Sequence, residues 1–484
     1  MSPSLTKLPT GVPGLDSLLL GGIPRGRSTL VTGRSGTGKS VVSLQIAASL
    51  ARQGLTTIVM AVEESPDDLT HTGDSLGLDI SGLVRDGRLV VVDVNRPADG
   101  PVIASGDYDI FGLVHRVEGL VAEHSASALV LDSATALFSP RPSEERMRQH
   151  FFHLISAFRR LELTAVVIAE AQEDYGALTT LGVEDFLCDL TIILRNIMDG
   201  GRRRRSIEIN KYRRSGHFKG EYPCTVTPKG LAVFPVDAKE YPTEWVEMER
   251  YSSGVQGLDD MTGGGWLRNS IIIVRGPTGA GKTILAGVYA KAGAERGERV
   301  VYYGFEETRA TLLRNYRELG MDLQPLIDAG NLRVICRYPE ATSLEDLLVD
   351  LRIDLEDYKP SLIVLDSISS IEHASSERGF RQFMIGVASI LRQHGRSALI
   401  TQTVAAGMPT EHPAPYLSTI ADAILALDYS PTSYQLNRTM RVIKSRGSAH
   451  ASNPYRLEIH GAGIHVEKMK PSDVDTQPSS TDPR

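Results

Sequence analysis

The octapeptide GRSGTGKS, Gly33 to Ser40, has a second spelling in the same chain, GPTGAGKT, from Gly276 to Thr283. Both fit G-x-x-x-x-G-K-[ST]. Each lies between a short apolar run (STLV, SIIIV) and a helix-forming run, so each segment is confined to strand, glycine turn and helix. Gly33 and Gly276 are 243 residues apart (276 − 33), and the flanking sequence keeps that spacing. GVPGLDSLLLGGIPRG (Gly11 to Gly26) falls on GVQGLDDMTGGGWLRN (Gly254 to Asn269), and VEES (Val62 to Ser65) falls on FEET (Phe305 to Thr308). Further on, LVLDS ending at Ser133 matches IVLDS ending at Ser367, and NKYR (Asn210 to Arg213) matches IKSR (Ile443 to Arg446). Solenoid units run roughly 20 to 50 residues, so a period this long is a duplicated domain.

A chain of 484 residues suits two domains, each able to bury its own core. Within each copy short apolar, β-branched runs (STLVTG, TTIVMAV, ALVLDS, TAVVIAEA) alternate with helix-length segments such as SVVSLQIAASLARQG. That alternation predicts an α/β fold, a mostly parallel sheet flanked by helices. Gly54 and Gly297 stand where the helix leaving each glycine turn should stop. The expected domains are 1–246 and 247–470, joined through FPVDAKEYPTEWVEMERYSSG. The stretch 471–484 lacks apolar periodicity and is expected to be a disordered tail.

The longest apolar runs are strand-sized, so no membrane span is expected, and no secretory leader opens the sequence; a cytoplasmic protein is expected. Cys188, Cys224 and Cys336 have no metal or disulfide spacing and read as incidental thiols. A net charge of −7 offers no global field for nucleic acid. The local run GRRRRS (Gly201 to Ser206) reads as a solvated turn between strands LTIILRNI and SIEINKY, with a DNA channel as the competing reading.

The two glycine turns predict phosphate cradles. Their glycines let backbone N–H groups close on phosphate oxygens at a helix N-terminus. Lys39 and Lys282 would reach the β- and γ-phosphates, and Ser40 and Thr283 would hold Mg²⁺. Asp132 and Asp366 end apolar strands, where a second carboxylate for the metal is required. Glu63–Glu64 and Glu306–Glu307 follow the next strands. One carboxylate of each pair is expected toward the γ-phosphate and the other away. Lys211 and Arg213, like Lys444 and Arg446, are spaced by two and are expected on one sheet face. They read either as plain surface charge or as cations lent to a neighbouring subunit's nucleotide, and the second reading implies a ring of subunits.

Two tandem cradles, VEES and FEET, LVLDS and IVLDS, a K-x-R after each, and RRRRSIEINKYRRSGHFKGEYP together resemble the KaiC family, the double-domain RecA-like ATPases of bacterial circadian clocks. The resemblance runs from Lys7 to about Val466. It implies two tandem RecA-like P-loop NTPase domains in a homohexameric double ring, with ATP between subunits. The first domain would hydrolyse ATP; the second would phosphorylate and dephosphorylate the protein itself.

Carried over by residue, the first site would use Ser35, Gly36, Thr37, Gly38, Lys39, Ser40, Val41, Glu63, Glu64, Ser75 and Asp132. The neighbour would add Lys211, Tyr212, Arg213, Ser215 and His217. The second site would use Thr278, Gly279, Ala280, Gly281, Lys282, Thr283, Ile284, Glu306, Glu307 and Asp366, with Arg438, Lys444, Ser445 and Arg446 from the neighbour. Glu306 matches the family's general base and, with Thr283 and Asp366, its Mg²⁺ shell. Ser418 and Thr419 match the phospho-acceptors, though most such pairs merely start a helix or strand. Pro413 falls where the family has another phosphorylatable Thr, Leu319 where it has an adenine-stacking Trp, and Pro228 where it has a nucleotide-contacting Asp. The short tail after GAGIHVEK argues against regulation by KaiA, while docking of a KaiB-like protein stays compatible. Two further readings are a RecA-like, DNA-dependent ATPase and an ATP-binding scaffold that never phosphorylates itself.

Overall fold

The computed structural model describes residues 5–94, 110–138, 144–176, 187–199, 201–235, 249–405, 410, 413–431, 436–451, 453–461 and 463–469. The expected connection over 236–248 and the expected tail 471–484 lie outside the described residues. The chain divides into two compact units, Met1–Asp237 and Ala238–Arg484.

In the first unit nine strands form one sheet: β1 (Ser28–Gly33), β2 (Thr57–Ala61), β3 (Leu89–Asp93), β4 (Ala128–Asp132), β5 (Thr164–Glu170), β6 (Leu190–Asp199), β7 (Arg202–Tyr212), β8 (Glu221–Thr227) and β9 (Gly230–Val233). Their order is β9-β8-β7-β6-β1-β5-β4-β2-β3. The six strands from β6 to β3 in that order are parallel, and β7, β8 and β9 continue antiparallel. Parallel strands bury both faces, and the side chains alternate accordingly. Val31, Val59 and Val130 pack on the side of helix α1 (Lys39–Arg52). Leu30, Ile58, Met60 and Leu129 pack on the opposite side with α2 (Ile110–His124) and α3 (Glu144–Arg160). Each fully buried side chain of this size contributes roughly 1.5–3 kcal/mol.

The second unit repeats the plan with β10 (Ile271–Gly276), β11 (Val300–Gly304), β12 (Leu332–Cys336), β13 (Leu362–Asp366), β14 (Ser397–Thr403), β15 (Ala423–Pro431), β16 (Leu436–Ser445), β17 (Tyr455–His460) and β18 (Gly463–Lys468). The order β12-β11-β13-β14-β10-β15-β16-β17-β18 is the first sheet read from its other edge.

Two local expectations change. GRRRRS is not a turn: Arg202 to Arg205 open β7, paired against Asp199 to Asn196. Arg204 is ion-paired to Asp199 at 2.9 Å, which lets the arginines sit in a ladder rather than a loop. Arg213 and Arg446 do not extend a regular period-two face. Each strand bulges at Asn210 or Ile443 and ends at Tyr212 or Ser445, one residue before the arginine.

Candidate nucleotide sites

Because β1, β2, β4 and β5 are parallel, Gly33, Ala61, Asp132 and Glu170 finish at one sheet edge, the edge where α/β sheets bind ligands. The glycine turn there needs backbone freedom. Gly36 and Gly38 have φ of 76° and 101°, and Gly279 and Gly281 have 78° and 106°. Gly33 and Gly276 need room instead: a Cβ would lie 2.3 Å from the Leu194 carbonyl oxygen or 2.6 Å from that of Leu427. Gly38 caps α1, and Gly281 caps the equivalent helix α4 (Lys282–Glu295). Lys39 reaches back into its turn, donating to the Gly33 and Arg34 carbonyls at 2.8 and 2.9 Å. Lys282 donates to those of Gly276 and Pro277, both at 2.9 Å. Burial lowers the pKa of both lysines while nearby carboxylates oppose it.

Thr278, Gly279, Lys282, Thr283, Ile284, Glu306 and Arg438 line one cavity of about 400 Å³ in the second unit. Arg438, expected from a neighbouring subunit, thus stands over its own chain's turn, with Nε 3.1 Å from the Gly279 carbonyl. It lies six residues along β16 from Lys444, roughly 20 Å at strand rise, so the two cannot serve the same end of one site. The corresponding first-unit cavity of about 530 Å³ is lined by Arg34, Ser35, Glu170, Gln172, Asn196 and Arg203. Asn196 carries no motif signal and Arg203 only that of the run GRRRRS; the antiparallel pairing of β6 with β7 brings both beside the turn.

The carboxylates differ between units. Ser40 donates to Asp132, whose Oδ2 is buried without a hydrogen-bond partner among the described residues. Burial raises the Asp132 pKa to about 6, with Glu64 and Glu63 adding to the effect. Asp366 is also raised by burial, but hydroxyls surround it. Thr283 Oγ1 lies 3.3 Å from Oδ1, which Thr401 also contacts, and Tyr302 donates to Oδ2 at 2.6 Å. The glutamate pairs lie in bends just past β2 and β11. Glu63 accepts from Ser133 at 3.0 Å, and Glu306 accepts from Ser370 at 3.1 Å. Glu307 turns to Asn315 at 2.9 Å, and burial raises its pKa. The Ser and Thr that close VEES and FEET are N-caps, Ser65 accepting from the Asp68 N–H and Thr308 from the Thr311 N–H.

A chain hydroxyl, an aspartate and a lysine at a glycine turn fit Mg²⁺-nucleotide. Magnesium takes one or two protein oxygens plus phosphate, and the orphaned Asp132 Oδ2 is an acceptor awaiting a cation. No cluster of three His, Cys, Asp or Glu side chains suited to a metal occurs among the described residues.

Apart from Arg438, the residues expected from a neighbour sit at the opposite sheet edge. Tyr212 pairs with Leu190 and its hydroxyl donates to the Gly22 carbonyl at 2.9 Å, so its ring is core. Ser215 donates to Gly216, and burial with Lys219 lowers the His217 pKa. Lys444 donates to the Ser418 and Ala421 carbonyls. Ser418, half-buried, and Thr419, exposed, lie inside the short helix Pro415–Ile420 rather than capping it. Ser75 is exposed at the end of the helix Pro66–Ser75. Leu319 packs on the second core, and Pro228 is exposed in the β8–β9 turn.

The family described as "ATPase: KaiC" matches residues 8–238 and again residues 251–471. The circadian clock protein KaiC3 of Synechocystis sp. is 37% identical over 471 residues, covering 96% of this chain and 92% of its own. The circadian clock oscillator protein KaiC of Picosynechococcus sp. is 36% identical over 465 residues, covering 95% and 89%. That of Thermostichus vulcanus is 37% identical over 471 residues, covering 96% and 90%.

Proposed function

We propose that this chain, which belongs to the KaiC family of ATPases, hydrolyses ATP in its first domain and in its second transfers phosphoryl groups to and from Ser418 and Thr419 of a neighbouring copy in a homohexamer. One observation carries the reading. Asp422, two residues past the acceptor helix, bonds through its N–H to the Ile271 carbonyl, and its Oδ2 accepts from the Ile271 N–H. Ile271 opens β10 and Gly276 closes it, so acceptor and own cradle are about 17 Å apart at 3.3 Å per residue. Attack requires reacting atoms about 3–3.5 Å apart. A neighbour presenting its cradle to this edge closes the gap, and Lys444 and Arg446 at the same edge would then face that neighbour's nucleotide.

Glu306, exposed at the cavity mouth, would accept the proton of the Ser418 or Thr419 hydroxyl as its oxygen bonds to the γ-phosphorus. The bond to the bridging oxygen breaks and ADP leaves. In the first domain Glu63 or Glu64 would orient water in the same way. Lys39, Lys282 and Arg438 would bind phosphate charge. Ser40 with Asp132, and Thr283 with Glu306 and Asp366, would hold Mg²⁺, which neutralises charge on the phosphate oxygens. A KaiB-like partner belongs to this reading as a ligand of the first domain. The backbone of the β7 arginines is paired in the sheet, Arg204 is ion-paired to Asp199 and Arg203 lines the cradle cavity, which favours the autokinase over the DNA motor.

Mixing two variants tests it. A Lys282→Ala chain cannot donate and a Ser418→Ala/Thr419→Ala chain cannot accept. After incubation with Mg-ATP, intact-mass and phosphopeptide analysis should find phosphate on the Lys282→Ala chain. Phosphate absent from every mixture, or present but indifferent to Glu306→Gln, would sink the autokinase.

A further inference from the structure

A closed ring of polar contacts in the second unit has no counterpart among the described residues of the first. Tyr302, on β11, donates to Asp366 Oδ2 at 2.6 Å. Its hydroxyl lies 2.9 Å from that of Tyr316, which in turn reaches the main-chain carbonyl of Thr283 at 2.7 Å. Thr283 closes the ring through Oγ1 to Asp366 Oδ1 at 3.3 Å. Both tyrosines are fully or almost fully buried, and their rings meet edge to face with centroids 6.2 Å apart. Thr401, from β14, adds a hydroxyl to Oδ1.

The equivalent first-unit positions hold Val59, Gly73 and Ile168. Val59 pairs with Val130 on β4 as Tyr302 pairs with Val364 on β13, and Ile168 pairs with Val31 as Thr401 pairs with Val274. The exchange includes packing. Tyr316 occupies the space over Gly287, whose Cβ would lie 2.2 Å from the ring, whereas Gly73 is filled in by Ile80, 2.3 Å from where a Cβ would stand. Asp132 accordingly keeps an unpartnered buried oxygen while Asp366 does not.

We propose that Tyr302 and Tyr316 are positioning residues which lock Asp366 and Thr283 into one unit for a divalent cation bound with nucleotide, giving the second site a preorganised metal position that the first lacks. The inference rests on the reading of Asp366 and Thr283 as the cation's protein oxygens. Hydrogen bonds to a ligating carboxylate fix its orientation, and their loss typically costs 10–100-fold in metal affinity. Phenylalanine keeps the ring packing and removes only the hydroxyl.

The test uses the full chain carrying Lys39→Ala, so that the first cradle is silent, and follows Mn²⁺ binding in the presence of ADP by electron paramagnetic resonance. Tyr302→Phe is expected to weaken Mn²⁺ by about 10–100-fold, and Tyr316→Phe and Thr401→Val also to weaken it. ADP affinity without metal should stay within about twofold, which a general loosening of the fold would not allow. Mn²⁺ affinity unchanged in Tyr302→Phe and Tyr316→Phe, with Asp366→Asn abolishing binding, would overturn the proposal and leave the site reading intact. Mn²⁺ binding that survives Asp366→Asn would overturn that reading and the proposal with it. Should Tyr302→Phe fail to fold, Tyr316→Phe and Thr401→Val still decide.

Discussion

Lys444 donates from Nζ to the carbonyl oxygen of Ser418 at 2.5 Å and to that of Ala421 at 2.7 Å. The strand expected to serve a neighbour's nucleotide therefore also grips the acceptor helix of its own chain. Arg446 reaches the Thr419 carbonyl at 3.2 Å and Arg392 that of Ile420 at 2.7 Å, so three cations cover four successive carbonyls. Cations are favourable at a helix C-terminus, and an anion added there is unfavourable unless cations meet it. A phosphate on Ser418 or Thr419 would bring about −1.5 to −2 charge into this cluster.

Thr419→Glu should therefore destabilise the chain less in the presence of Lys444 than beside Lys444→Ala. The coupling expected for a partly exposed pair is about 0.5–1 kcal/mol. Urea unfolding of the two single variants and the double variant checks it; perfect additivity would show that the lysine does not meet the charge.

Each cradle should bind nucleotide independently. Lys39→Ala and Lys282→Ala should each lower the stoichiometry from two nucleotides per chain to one, and the pair to none. Equilibrium dialysis with Mg-ADP measures this directly.

Glu306→Gln should reduce phosphate on Ser418 and Thr419 by about 10²–10⁴-fold, the contribution of a general base, and weaken Mg-ADP binding by a smaller factor, since Glu306 also belongs to the proposed Mg²⁺ shell. Single-turnover phosphopeptide analysis at saturating Mg-ATP separates the two; a loss of phosphate no larger than the loss of binding would make Glu306 a ligand alone and not a base.

The metal-free first domain should lose stability as pH rises from 4 to 6. Folding raises the Asp132 pKa from 3.8 to about 6, so the folded state holds the extra proton in that window. The penalty for ionising the buried carboxyl is absent below pH 4 and complete above pH 6, on the order of 3 kcal/mol. Asp132→Asn removes it, so the variant should exceed the parent in stability at pH 7 in EDTA and match it at pH 4. Urea unfolding at both values tests the sign.

Gly33→Ala should cost about 1–3 kcal/mol, because its Cβ would collide with a main-chain oxygen. Gly119→Ala, on an open helix face with nothing within 4 Å, should cost nothing or stabilise by up to about 1 kcal/mol. Thermal unfolding compares them.

The parts of each unit that depend on local pattern were legible. Short β-branched runs separated by helices gave the parallel half of each sheet, since strand period and buried faces are written in adjacent residues. The glycines of GRSGTGKS and GPTGAGKT predicted turns, and Gly36, Gly38, Gly279 and Gly281 have positive φ. What failed depended on distant pairing. Four arginines in a row look like a solvated turn, yet the partner strand Leu190–Asp199 draws them into a ladder. Arg438 and Lys444 look alike in sequence, and only the direction of Leu436–Ser445 puts the first beside its own cradle and the second at the far edge.

By itself the sequence determined that two like domains exist, where each phosphate turn lies, and which lysines, hydroxyls and carboxylates accompany it, because those depend on residues close in the chain. The tertiary structure alone decided how the copies differ. Whether a buried aspartate meets tyrosine hydroxyls, as Asp366 does, or keeps a bare oxygen, as Asp132 does, turns on side chains that arrive from separate strands and helices. Their contact is set by packing, for which a linear spacing carries no signal.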